Sequence, residues 1–300
     1  MFASLPPRVT IYEVGPRDGL QNEAETVPLE AKVRFIDLLT AAGLPLIEVT
    51  SFVRPGAIPQ LANAEEVVKE IARAPETRYT ALVPNLKGME RAEAARLDGI
   101  ALFTAASETF SRRNTNASIQ ETLARFKPVA ETARNQGIWL RGYVSTAFGC
   151  PYEGDVPIDS VLSVTRDLLD LGVDEVAISD TIGIATPAQV VSVVGALLSE
   201  VPVSKLALHF HDTRGTALAN VLAGLQLGIS TFDSSAGGLG GCPYAPGATG
   251  NLATEDLVYL LNGLGLETGV SLAGVVTAST YLAGILGRRP PSRYYRAATA

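Results

Sequence analysis

Short runs of β-branched and aliphatic residues alternate with longer amphipathic stretches along the whole chain. The short runs are RVTIYEV (8–14), LIEVTS (46–51), RYTALV (78–83), IALFTA (100–105), WLRGYVST (139–146), EVAISD (175–180), KLALHFH (205–211) and TFDSSA (231–236). Their length and their content of Val, Ile, Thr and aromatic residues predict strands. Between them lie stretches with apolar positions three and four apart, such as PLEAKVRFIDLLTAAG, SIQETLARFKPVAETARNQG and PIDSVLSVTRDLLDLG, which predict helices. Several open at Pro or Ser and close on Gly, the asymmetry that helix ends favour. Gly43, Gly137, Gly172 and Gly228 each stand between a helix and the next strand. Strand–helix units repeated in this way, joined by short connections, predict an α/β fold of the (β/α)8 TIM-barrel type. A doubly wound sheet would instead carry a G-x-G-x-x-G turn after the first strand. The turn there reads GPRDG, with Pro16 inside it. The barrel is expected over about 8–265, with an additional C-terminal helical segment at about 271–287, the whole of 1–300 forming a single catalytic domain.

At 300 residues the chain is long enough to bury a core without help from disulfides or a structural metal. Its net charge of −7 and the absence of a Lys/Arg stripe argue against a nucleic-acid partner. An anionic small molecule remains compatible, because local charge in a site can oppose the net charge. The two cysteines, Cys150 and Cys242, are far apart and form no disulfide framework, which points to a reducing compartment. The opening MFASLPPRVTIYEV lacks the pattern of a secretory signal, and no apolar run reaches membrane-spanning length. A cytoplasmic protein without a membrane partner is expected.

In a barrel of this kind the chemistry gathers where strands end and loops begin. The first strand runs into Arg17, Asp18 and Gln21, and the second contains Glu48 and ends at Ser51. The fifth carries Arg141 and Tyr143, the sixth ends at Ser179 and Asp180, and the seventh carries His209 and His211. The chain has no other histidine. Alternation along LALHFHD places Ala207, His209 and His211 on one face and Leu206, Leu208 and Phe210 on the other. The apolar face suits the surrounding helices, so the imidazoles point into the barrel mouth. There they are spaced to share a divalent metal with a carboxylate from a neighbouring strand end. Barrel closure brings the first strand beside the seventh and eighth and makes Asp18 the best-placed carboxylate; a turn or helix-cap role fits the same position. Glu48, inside an apolar strand, needs a partner if buried, and Arg17 is available. Asp180 either belongs to the pocket or starts the turn before TIGIATP. After the eighth strand comes GGLGGCPYAPGATGN, with Cys242 and Asn251. Cys150 reads as a small buried hydrophobe. Cys242 sits on a glycine-rich loop of the kind that closes over sites, and reads as a proton donor or acceptor.

Together VGPRDGLQNE, IEVTSFV, RGYVSTAFGCPYEG, SDTIG, LHFHDTRG and AGGLGGCPYAPGATGNLATEDLVYLLNGLG resemble the 3-hydroxy-3-methylglutaryl-CoA lyase family, over about residues 8–286. The specific part is the glycine–cysteine loop combined with HFHDTRG, since RDGLQ has variants in related synthases and carboxyltransferases. The resemblance implies Mg2+ or Mn2+ held by Asp18, His209, His211 and Asn251. It implies Arg17 neutralising a developing enolate, Cys242 in the catalytic cysteine position, Glu48 as the active-site glutamate and Asp180 as an acid of the substrate pocket. Gln21, Ser51 and Tyr143 complete the expected substrate-binding set. Ala24 departs from relatives that carry a basic residue there to assist CoA binding.

The implied reaction cleaves an acyl-CoA substrate to acetyl-CoA and acetoacetate, chemistry of leucine degradation and ketone-body formation, by a homodimer or higher homo-oligomer. His209 or Asp18 would take the hydroxyl proton and Cys242 would protonate the enolate. A Schiff-base aldolase or a biotin carboxyltransferase would need a lysine inside the barrel. Lys205 starts its strand at the wrong end, and Lys32, Lys69, Lys87 and Lys127 fall in predicted helices. Two other readings are a lyase for a longer branched analogue and a non-catalytic acyl-CoA-binding barrel. The latter predicts loss of at least one of Arg17, Asp18, His209, His211 and Cys242, and all five are present.

Overall fold

The structure, a computed structural model, describes residues 5–241 and 250–300. Eight parallel strands close into a barrel in sequence order: β1 (Thr10–Glu13), β2 (Leu46–Ser51), β3 (Arg78–Leu82), β4 (Gly99–Ala105), β5 (Trp139–Ser145), β6 (Glu175–Asp180), β7 (Leu206–Phe210) and β8 (Thr231–Ser234). Closure is made by β1 on β8, with Thr10 opposite Thr231 and Glu13 opposite Ser234. The predicted strands and the observed ones coincide within a residue or two at each end. The helices that follow are α1 (Leu29–Ala41), α2 (Ala64–Glu70), α3 (Leu86–Ala94), α4 (Glu108–Thr115), α5 (Ile119–Asn135), α6 (Ile158–Asp170), α7 (Pro187–Leu198), α8 (Ala217–Gln226) and α9 (Thr254–Gly263). Beyond them lie α10 (Leu272–Leu286), where a helix was expected, and a short α11 (Arg293–Ala298), which the apolar pattern did not reveal. No described helix is long and apolar enough to cross a membrane.

Local chemistry explains where these elements start and stop. Ser118 with Glu121, and Thr186 with Gln189, form reciprocal capping boxes at the starts of α5 and α7. Gly43, Gly137, Gly172 and Gly228 all have φ between 67° and 89°, the left-handed end that lets each helix stop and the next strand begin.

Alternation along the strands divides the interior in two. Ile11, Ile47, Leu140, Ile178, Leu208 and Phe232 face outwards into the main core beneath the helices. Tyr12, Leu46, Ala101, Tyr143, Ala177 and Ala207 face inwards and fill the barrel. At its centre Arg141 is completely buried, with its guanidinium 3.9 Å from the centroid of the Tyr12 ring. The β-branched and aromatic wall is therefore a packed floor, and a cavity opens above it at the strands' C-terminal ends.

Candidate active site

The turn Gly15–Gly19 leaves β1 at that end and presents two charged side chains. Arg17 is 5% exposed and is clasped from both sides. Its Nε donates to Glu48 Oε2 at 2.5 Å and its Nη1 to Asp18 Oδ1 at 2.5 Å. Burial alone would lower the Arg17 pKa, but the Glu48 and Asp18 charges outweigh it and hold the guanidinium firmly protonated. Glu48 reaches this position from β2 just before a register shift between Glu48 and Thr50. Its other oxygen, Oε1, is buried without a partner among the described residues.

His209 lies on β7 and His211 just past its end, both buried, with ring centroids 5.3 Å apart. The outward side of β7 is apolar as predicted, and Ala207 below the histidines belongs to the inner cluster. Asp18 Oδ2 lies 3.8 Å from His211 Nε2 and accepts from Asn251 Nδ2 at 2.9 Å. Burial would raise the Asp18 pKa; the Arg17 guanidinium and both imidazoles overcome this and keep the group far below the usual carboxylate range. Among the described residues, Asp18, His209 and His211 form the one group of acidic, histidine or cysteine side chains whose ligand atoms all lie within 4.8 Å of one another. Asn251 bridges to His211 through the backbone, and its Oδ1 is buried with no partner among the described residues. A carboxylate, two imidazoles and an orphaned amide oxygen form a donor set suited to a divalent cation. The residues present therefore fit the group that the resemblance implies.

Arg17, Asp18, His209 and His211 line one side of a cavity of about 620 Å3, within the usual range for a ligand site. Gln21 and Tyr143 also line it, together with Asn22, Leu82, Phe103 and Gly241. Burial, helped by the Glu48 and Asp233 charges, pushes the Tyr143 phenol well above its ordinary pKa, so it stands there as a neutral hydroxyl. The Arg17 guanidinium lies 5.8 Å from the centroid of the Tyr143 ring. Gly241, the last described residue before Cys242, accepts from Asn22 Nδ2 at 2.7 Å. Gly240 has φ of 117°, and a Cβ there would meet Asn251 Nδ2 at 2.5 Å, so only glycine lets this backbone lie against the amide. Cys242 itself lies outside the described residues.

Two predicted site residues are turned elsewhere. The Asp180 carboxylate accepts from the Ile184 and Ala185 amides, each at 2.9 Å, and is not on the cavity wall. It holds the turn that its alternative reading described. Ser51 is buried and donates to the Leu82 carbonyl at 3.2 Å, also away from the wall. Cys150 is buried, with Sγ 2.9 Å from Ser107 Oγ, as expected of an unreactive thiol.

Sequence reasoning missed Asp233. It lies opposite His209 in the β7–β8 register, with Oδ2 3.1 Å from His209 Nδ1 and Oδ1 2.6 Å from Arg141 Nη2. The signal was available: an acid within the apolar run TFDSSA poses the same question as Glu48 within LIEVTS.

Fold and site together define a (β/α)8 barrel with a candidate divalent-metal pocket at its C-terminal mouth. The chain belongs to the HMGL-like family, whose model matches residues 8–281. It is 51% identical to the mitochondrial hydroxymethylglutaryl-CoA lyase of Rattus norvegicus, over 99% of this chain and 91% of that one. It is 50% identical to the 3-hydroxy-3-isohexenylglutaryl-CoA/hydroxymethylglutaryl-CoA lyase of Pseudomonas aeruginosa, over 99% of each. The crystal structure of a 3-hydroxy-3-methylglutaryl-CoA lyase from Acinetobacter baumannii with coenzyme A and 3-methylmalate superposes with a TM-score of 0.93, at 40% identity, covering 97% of this chain and 95% of that one.

Proposed function

We propose that this chain is a divalent-metal-dependent lyase that splits 3-hydroxy-3-methylglutaryl-CoA into acetyl-CoA and acetoacetate. The observation that carries the reading is the convergence of Asp18, His209 and His211 on one cavity wall with Arg17 beside them. Relatives named as lyases at about half identity over almost the whole chain support it, and the relative crystallised with coenzyme A supports an acyl-CoA substrate. From the family resemblance come the choice of Mg2+ or Mn2+, a place in leucine degradation and a homodimer or higher homo-oligomer, while a cytoplasmic location is read from the cysteine usage.

A divalent ion held by Asp18, His209, His211 and Asn251 would supply Lewis-acid polarisation of the substrate's oxygens. The chain's own groups do the rest. Asp18 takes the proton of the C3 hydroxyl, or His209 does where its Nε2 is not engaged by the ion; the C2–C3 bond then breaks, and its electron pair passes to the thioester as an enolate. Arg17, fixed by two carboxylates, holds positive charge where that negative charge develops. A fixed charge of this kind costs no reorganisation at the moment of reaction and is worth about 3–4 kcal/mol. Cys242 then gives its thiol proton to C2, completing acetyl-CoA. The buried Tyr143 and the half-buried Phe103 beside the pocket help keep water from the enolate.

A longer branched substrate is the second reading. It is favoured by the dual name of the Pseudomonas aeruginosa relative and by the apolar residues Val53, Ile58, Leu82 and Phe126 along the cavity.

The test is acetoacetate formation from 3-hydroxy-3-methylglutaryl-CoA by protein stripped with a chelator and then given Mg2+ or Mn2+. Turnover should depend on the ion and fall by roughly 10²–10⁴ in Cys242→Ala, the range for loss of a general acid. Undiminished turnover with chelator would contradict the metal reading. Turnover of the isohexenyl analogue alone would move the assignment to the longer substrate.

A further inference from the structure

Asp233 engages its two oxygens with two different partners, one on each side. Oδ1 meets Arg141 Nη2 at 2.6 Å and Oδ2 meets His209 Nδ1 at 3.1 Å. All three side chains are buried, Asp233 at 1% exposure. Arg141 is in turn locked by its own neighbours. Its Nε lies 2.9 Å from Glu175 Oε1, its Nη1 donates to the Tyr143 hydroxyl at 3.1 Å, and its guanidinium lies over the Tyr12 ring. It has little freedom to let Asp233 move.

A counter-ion role for Asp233 alone does not explain this arrangement. Glu175 already stands against Arg141, and a second buried acid leaves an oxygen whose lone pairs must be met elsewhere. That need is met by His209, directly opposite in the strand register, whose Nδ1 lies 3.1 Å from Asp233 Oδ2. An ionised carboxylate only accepts, so the hydrogen between Asp233 and His209 sits on Nδ1, and the lone pair remains on Nε2. His211 contrasts with this, since its Nδ1 is buried with no partner among the described residues.

We infer that Asp233 is a positioning residue that fixes His209 in the tautomer offering Nε2 to a divalent cation, with Arg141 holding Asp233 in place. The inference rests on the metal reading proposed above. It makes a particular statement about Asp233→Asn. The amide oxygen of the new side chain must face the Arg141 donors, so its N–H is turned towards His209 Nδ1. The imidazole then carries its proton on Nε2, where it cannot bind metal.

Two measurements test this. The first is Mn2+ binding to chelator-stripped wild type and Asp233→Asn, followed by electron paramagnetic resonance, with unfolding curves confirming that the variant folds. Mn2+ affinity should fall about 10–100-fold in the variant, the usual consequence of removing a group that orients a ligand. The second needs no variant at Asp233. Nitrogen NMR of wild type labelled in histidine, loaded with Mg2+, reads the tautomer directly. Only two rings contribute, and the missing signal in His209→Gln assigns them. A proton on His209 Nδ1 is expected. Equal Mn2+ affinity in folded Asp233→Asn, or a proton on His209 Nε2 in wild type, would overturn the inference while leaving the lyase reading intact. Failure of the wild type to bind Mn2+ at all would overturn both.

Discussion

Two arginines, Arg17 and Arg141, are buried within the same barrel, each between two carboxylates and each near the Tyr143 ring. They differ in what lies on the remaining side. Arg17 lines the cavity, whereas Arg141 is closed in by Tyr12, Tyr143 and the acids on every side. The same ion-pair chemistry therefore supports two outcomes. Where one flank is open, a fixed charge is available to a reacting group; where none is, the charge organises its neighbours. Burial and pairing alone do not mark a residue as catalytic, and the open flank is what distinguishes them.

Removing the closed arginine should cost most. Arg141→Met leaves Asp233 and Glu175 buried without their cation and should lower stability by about 3–5 kcal/mol. Urea unfolding reads this, and a loss below about 1 kcal/mol would show that the pair is better hydrated than the structure has it. At the open arginine, Arg17→Gln should lower kcat by about 10²–10³, or 3–4 kcal/mol in the barrier, in a protein that still folds. Steady-state kinetics beside a melting curve separates these cases; a variant of unchanged kcat would remove Arg17 from the chemistry.

Acids that lack an arginine sharpen the contrast from the other side. Glu13 accepts from the Gly15 and Ala236 amides and from Thr254, and Glu255 from the Gly237 amide and Ser279. Neither has a cation among its hydrogen-bond partners in the described residues. Burial pushes each up to about 7 from an ordinary 4.5. The folded state thus holds more protons than the unfolded chain between these values. Stability from these two groups is fully present below about pH 4.5 and is lost as pH rises to about 7. The loss is roughly 3 kcal/mol per group. Unfolding at pH 5 and pH 8 should show Glu255→Gln with a flatter pH dependence than wild type, and parallel curves would refute the shift. The smallest effect is expected at Asp180→Asn, where an amide gives only one acceptor to the two backbone donors of the Thr181–Ala185 turn. A loss of about 1–2 kcal/mol is expected in thermal unfolding.

Much of this was legible in the sequence because period two and period 3.6 report directly on burial. The strands, the inward face of His209 and His211, and the pairing of Glu48 with Arg17 all follow from which positions would be costly if left unpaired. What was not legible depends on distances across the barrel. Asp233 lies 24 residues from His209 in sequence, and only the strand register places them opposite one another. Asp180 looked equally suited to pocket and turn because the local sequence does not say which way a strand-end carboxylate rotates. Ser51 was read onto the pocket from its place at the strand end, and its hydroxyl is spent instead on the Leu82 carbonyl. α11 has too few apolar positions for its pattern to register, and it is held through Ser292, Arg293 and Tyr294 on Asp256.

The central claim is that Asp18, His209 and His211 act together on one cation to drive carbon–carbon cleavage. It is tested most directly by titrating Mn2+ into chelator-stripped protein while following both bound ion and acetoacetate release from 3-hydroxy-3-methylglutaryl-CoA. The account predicts one ion per chain, turnover rising in proportion to its binding, and the loss of both in His211→Gln. Full turnover before any ion is bound, or tight binding that His211→Gln leaves unchanged, would contradict it.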